Sequence, residues 1–101
     1  MKATPLPVKR ALRTIGQNLA TQRNLLGLNA KMVAERAGTK PPTISKLERG
    51  DGASLEITMS VLRVLGLMNE VVTATDPYEP DRGRLMADEV LPIRVRVRDD
   101  G

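Results

Sequence analysis

The chain has 101 residues and a net charge of +4, and it contains one Tyr but no Cys, His, Trp or Phe. These absences exclude a disulfide framework, a zinc finger, a thiol nucleophile and an imidazole base. No cluster of carboxylates, hydroxyls and lysines has a catalytic spacing, so we predict no enzymatic activity, no metal and no cofactor. The apolar runs are too short for a membrane span and no signal peptide is visible, so we expect one small cytoplasmic domain.

The charges are distributed unevenly along the chain. Residues 1–50 carry ten Lys and Arg against two acidic residues, a balance of +8, whereas residues 51–101 carry six basic and ten acidic residues, a balance of −4. A basic segment of this kind is typical of a surface that contacts phosphates, although a solvated cationic surface is the alternative.

The first predicted helix follows a short lead-in. Residues 1–8 contain Pro5 and Pro7 and are predicted to be a flexible N-terminal segment. Lys9 to Leu26 has the apolar periodicity of an amphipathic helix that ends before Gly27. The residues expected on its apolar face are Leu12, Ile15, Leu19 and Leu26.

A helix, a tight turn and a second helix are predicted next. Asn29 is a favourable N-cap for a helix over Ala30–Ala37, and residues 38–40 form the turn. The following helix starts with Pro41 and Pro42, which suit a first turn, and should run to about Arg49. The apolar positions expected to hold the two helices together are Val33, Ala34, Ala37, Ile44 and Leu47.

Two further helices complete the predicted all-α domain over residues 9–75. Ser54 is the expected N-cap of a fourth helix, Gly66 ends it, and a short fifth helix covers Leu67–Thr73. The residues expected on the apolar face of the fourth helix are Leu55, Met59, Leu62 and Leu65.

The C-terminal tail, residues 76–101, has a different character. Residues 76–81 form a Pro-rich, acidic linker, and residues 84–90 have the pattern of one or two helical turns. In residues 93–98 apolar residues alternate strictly with arginines, which is typical of a strand. Since an all-helical domain offers this strand no partner, it either pairs with another chain or stays disordered.

From about Leu12 to Val72 the sequence resembles the Xre/Cro-type helix-turn-helix family of phage and bacterial repressors. The resemblance is carried by LNAKMVAERAGTKPPTISKLERG (residues 28–50) followed by SLEITMSVLRVLGL (residues 54–67). It implies a compact, five-helix, lambda-repressor-like domain whose third helix enters the major groove of DNA.

The resemblance also implies which residues contact DNA. The groove-facing positions of the third helix fall on Lys40, Pro41, Pro42, Thr43 and Lys46. Geometry agrees, because Ile44 and Leu47 point inward and leave the other face outward. Lysine can donate to guanine and threonine can contact a base edge, a thymine methyl or a phosphate, whereas the two prolines can only pack on thymine methyl groups.

Several neighbouring cations are candidates for phosphate contacts: Arg23, Lys31, Lys40 and Arg49. Ala30 stands where the family commonly has a phosphate-binding glutamine, so the side-chain contact is missing, while the backbone N–H groups at the start of this helix can still face a phosphate. The resemblance further implies a structural ion pair between Arg23 and Glu48 that holds the third helix on the first.

The tail, TDPYEPDRGRL and ADEVLPIRVR, is similar to that of HipB-like antitoxins, which are paired with HipA-type Ser/Thr kinase toxins. This similarity implies a homodimer on an inverted-repeat operator, autoregulation of the operon, and a C-terminal strand that pairs across the dimer. The alternatives are a phage-type or general Xre regulator without a toxin, and a protein-interaction adaptor that reads DNA weakly.

Overall fold

The computed structural model describes residues 3–79, which hold five α-helices and no strand. The helices are α1 (Leu6–Leu25), α2 (Ala30–Ala37), α3 (Pro41–Glu48), α4 (Leu55–Val64) and α5 (Met68–Ala74). The predicted all-α, five-helix architecture is therefore confirmed. The helical turns predicted over 84–90 and the strand predicted over 93–98 lie outside the described residues.

Helix α1 starts earlier than its sequence pattern indicated. It begins at Leu6, so the predicted start at Lys9 was wrong, and residues 6–8 belong to the helix rather than to the lead-in. Pro7 is compatible with this start because a proline in the first helical turn lacks an N–H that would have no intrahelical partner. Pro5, which we placed in the flexible segment, is the N-cap.

Helix α2 has the ends that its sequence predicts. The Asn29 side chain accepts a hydrogen bond from the Met32 N–H at 2.8 Å, which fixes the first turn. At the other end Gly38 adopts a left-handed conformation with φ of 74°, and the Thr39 N–H donates to the Ala34 carbonyl at 2.9 Å. This closed end makes the sharp turn into α3.

The core of the first structural unit, which ends at Met68, is formed by α1 to α4. Helix α3 packs against both α1 and α2, and α2 also packs against α4. One side of α3 is consequently buried and fixed in place by two helices. The buried apolar side chains of this core are Leu19, Val33, Ala34, Ile44, Leu47, Val61, Leu62 and Leu65.

Three residues expected on the apolar faces of α1 and α4 are exposed. Ile15 and Leu26 lie outside the buried face of α1, and Leu55, at the first position of α4, leaves 74% of its surface exposed. The buried face of α1 is centred instead on Gly16 and Leu19, because α3 approaches the helix there. The periodicity of apolar residues predicts which face of a helix is apolar, but it does not predict which residues of that face the neighbouring helix covers.

Helix α5 belongs, apart from Met68, to a second unit that begins at Asn69. It lies one residue later at each end than the predicted Leu67–Thr73. Glu70 stands in its first turn, where a negative charge is favourable near the positive end of the helix dipole.

Candidate nucleic-acid interface

Helix α3 exposes the side that the sequence predicts to face DNA. Lys40, Pro41, Pro42 and Lys46 are exposed, and Thr43 is half-buried. Ile44 and Leu47 are buried on the opposite side. The helix thus presents to solvent an edge with two prolines at its start and a lysine one turn further along.

The start of α3, residues 40–42, forms what we call the recognition tip. Lys40 is the N-cap in an extended conformation, and Pro41 and Pro42 occupy the first two helical positions. Neither proline has an N–H, and the N–H of Thr43 donates to the Lys40 carbonyl at 2.9 Å. The first three residues of α3 therefore offer no free backbone donor, although most helix starts do.

Several cations around α3 have no acidic partner. Within residues 3–79, only Arg23 and Arg49 form ion pairs, so Lys31, Lys40 and Lys46 are not neutralised by any described carboxylate. Arg49 reaches Asp51 at 3.3 Å in a pair whose side chains are 62% and 53% exposed. Such an exposed pair contributes little to stability, so it leaves Arg49 available to a stronger anion.

The structure brings together Arg23 and Glu48, the two residues for which the resemblance implies an ion pair. The Arg23 Nε and Nη2 donate to the two carboxylate oxygens of Glu48 at 2.7 and 3.0 Å, and Nη1 donates to the Leu28 carbonyl at 3.0 Å. Both side chains are mostly buried, with 17% and 16% of their surface exposed. This two-pronged contact joins the end of α1 to the end of α3.

The hydrogen bond to Glu48 raises the pKa of Arg23 above its ordinary value, although burial opposes this effect. The pairing therefore favours the charged form of a guanidinium that is protonated in any case. Since its three hydrogen-bonding nitrogens are all engaged within the protein, Arg23 has a structural task that is distinct from the phosphate contact predicted for it.

Gly16 is a positioning residue that the sequence analysis missed. A Cβ atom at this position would stand 2.5 Å from the Glu48 carbonyl oxygen and 2.6 Å from that of Leu47. The backbones of α1 and α3 are therefore so close that no side chain fits between them. A glycine in the middle of a helical pattern was the available signal, because it weakens a helix unless close packing requires it.

Within residues 3–79, no helix is long and apolar enough to cross a membrane, and no group of acidic residues is arranged to hold a metal ion. Residues 19–67 match a protein-family model described as Helix-turn-helix, and the matched region runs from the second half of α1 to the residue before α5. Neither the comparison with curated proteins nor that with solved structures gave a match. The family match and the helix arrangement together support a DNA-binding regulator of the Xre helix-turn-helix type.

Proposed function

We propose that the protein is a sequence-specific transcriptional repressor that binds an inverted-repeat operator in double-stranded DNA as a homodimer in the cytoplasm. The observation that carries this proposal is the position of α3. Its inner side packs against α1 and α2, and its outer edge carries Lys46 and Thr43. A rigid helix with one polar, cationic edge has the properties required to enter the major groove.

Lys46 and Thr43 supply the polar contacts in this proposal. Lys46 is exposed and unpaired among the described residues, so its ammonium group can donate to O6 and N7 of a guanine. Thr43 makes no hydrogen bond through its hydroxyl to any residue in the range 3–79, which leaves that group for a base edge or a phosphate. The proposed phosphate contacts are Lys31, which is exposed in the first turn of α2, and Arg49, which is the C-cap of α3.

A dimer follows from the small size of this surface. One helix of eight residues contacts only a few base pairs, which is too few to define a site in a genome. Two copies that bind half-sites about one helical turn apart would multiply the specificity. The symmetric arrangement of two identical subunits explains why the proposed operator is an inverted repeat.

Removal of a phosphate-binding lysine should weaken DNA binding uniformly. We expect Lys31→Ala to lower the affinity for specific and random duplexes by similar factors, and to make the slope of log K against log salt shallower by about one unit per subunit. Fluorescence anisotropy between about 50 and 200 mM salt measures both quantities. Arg63→Ala, which removes an exposed charge from the last turn of α4, is the matched control and should leave the slope unchanged. An unchanged slope for Lys31→Ala would remove Lys31 from the interface.

We further propose that the regulator is the antitoxin of an operon that encodes a HipA-like kinase. This proposal relies on the similarity of residues 75–96 to HipB-like tails. If a kinase-like reading frame adjoins the gene, the two products should co-purify after co-expression, and truncation after residue 75 tests whether the tail is needed. Absence of a stable complex with that kinase would leave a general Xre regulator without a toxin.

A protein-interaction adaptor is the second candidate. It is favoured by the lack of free backbone donors at the start of α3 and by Ala30, whose methyl group cannot bind a phosphate. An adaptor would bind a protein partner and show no preference for any duplex over random DNA. The two candidates therefore differ in one measurable quantity, the ratio of specific to random DNA affinity.

A further inference from the structure

We propose that the recognition tip selects pyrimidines that carry a methyl group at C5, namely thymine or 5-methylcytosine, and discriminates against unmethylated cytosine. The inference rests on the proposed DNA-binding function and specifies the chemical group that α3 recognises. Pro41 and Pro42 are exposed at the start of the helix and carry only C–H groups on their side chains.

The base edges that can face this surface are limited by hydrogen bonding. A purine presents acceptors, or an acceptor and a donor, in the major groove, and cytosine presents the N4 amino group. Against the two proline rings such groups would lose water and gain no partner, because the rings carry neither a donor nor an acceptor and a proline has no N–H. A C5 methyl group is the one apolar feature of the major groove, so it is the group that this surface can bury favourably.

The neighbouring residues make this contact selective as well as apolar. Lys40 and Lys46 lie on either side of the prolines along the exposed edge, and no carboxylate among residues 3–79 pairs with them. Lysine next to an apolar contact recognises a guanine beside a methylated pyrimidine, as in a TG or a methylated CG step. We therefore assign to the two prolines of α3 a role in determining which DNA sequence is bound.

The test uses the intact chain and a duplex selected from a random library. Three versions of that duplex are compared: the parent, one with deoxyuridine for every thymidine, and one with 5-methylcytosine for every cytosine. Burial of a methyl group predicts about a fourfold change per contact. If the tip binds thymine, we expect the deoxyuridine duplex to bind at least fourfold more weakly than the parent. If the tip binds 5-methylcytosine, we expect the duplex with that base to bind at least fourfold more tightly than the parent.

A matched pair of variants assigns the effect to the tip. Pro41→Gln/Pro42→Gln should abolish the discrimination between methylated and unmethylated duplexes, whereas Pro5→Gln/Pro7→Gln, which changes the N-cap proline and a first-turn proline of α1, should retain it. Wild-type ratios within twofold of one, or discrimination that survives the first double variant, would overturn the inference. If selection enriches no duplex over random DNA, both the proposed function and this inference fail. If a duplex is enriched but the methyl group has no effect on its affinity, only this inference fails.

Discussion

Replacement of Gly16 by alanine is expected to lower the free energy of unfolding by about 2 kcal/mol and the melting temperature by roughly 10 °C. The new methyl group would meet two backbone carbonyl oxygens of α3, at 2.5 and 2.6 Å. Main-chain atoms cannot rotate away as a side chain does, so the two helices must separate. The strain of this separation, about 3 kcal/mol, exceeds the gain of about 1 kcal/mol that alanine gives over glycine in a helix, which leaves the expected net loss.

The matched control is Asn18→Ala on the exposed side of the same helix. Because alanine has a higher helix propensity than asparagine and meets no neighbour there, this variant should be as stable as the wild type or slightly more so. Thermal unfolding followed by circular dichroism compares the two variants. An equally stable Gly16→Ala protein would show that α1 and α3 are not in close contact.

Replacement of Arg23 by methionine is expected to cost about 2–3 kcal/mol of stability. The change keeps an apolar stem but leaves the Glu48 carboxylate and the Leu28 carbonyl without the donors that contact them at 2.7 to 3.0 Å. An unpaired, mostly buried carboxylate is costly because it loses water without gaining another partner. Since Glu48 lies at the end of α3, the loss should also weaken specific DNA binding.

Arg49→Met provides the control because it breaks the other described ion pair, which is exposed. We expect its free energy of unfolding to remain within about 0.5 kcal/mol of the wild type. A double-mutant cycle with Glu48→Gln then isolates the Arg23–Glu48 coupling. A coupling energy near zero would mean that the pair does not hold α3 on α1.

The sequence predicted the helices well and their mutual contacts poorly. Capping residues such as Asn29 and the turn at Gly38 act locally, so the bounds of α2 could be read from the chain. Ile15 and Leu55 fit an apolar periodicity and are nevertheless exposed, since burial depends on where the neighbouring helix lies. The close approach at Gly16 is a tertiary contact, and no local pattern specifies its partner.

Some features of the candidate site could be predicted from the sequence, and others could not. The outward position of Lys46 follows from helical geometry once Ile44 and Leu47 are assigned to the core. The lack of free backbone donors in the first three residues of α3 follows partly from the two prolines, but the bond from the Thr43 N–H to the Lys40 carbonyl was found only in the structure.

If the exposed edge of α3 recognises a DNA sequence, the intact chain should prefer a selected duplex to a scrambled duplex of equal composition. The two affinities are measured at one fixed salt concentration. We predict a ratio of about 10³ or more for the wild type, and a ratio at least tenfold lower for Lys46→Ala. Equal affinity of the wild-type chain for the two duplexes would contradict the claim and favour the adaptor.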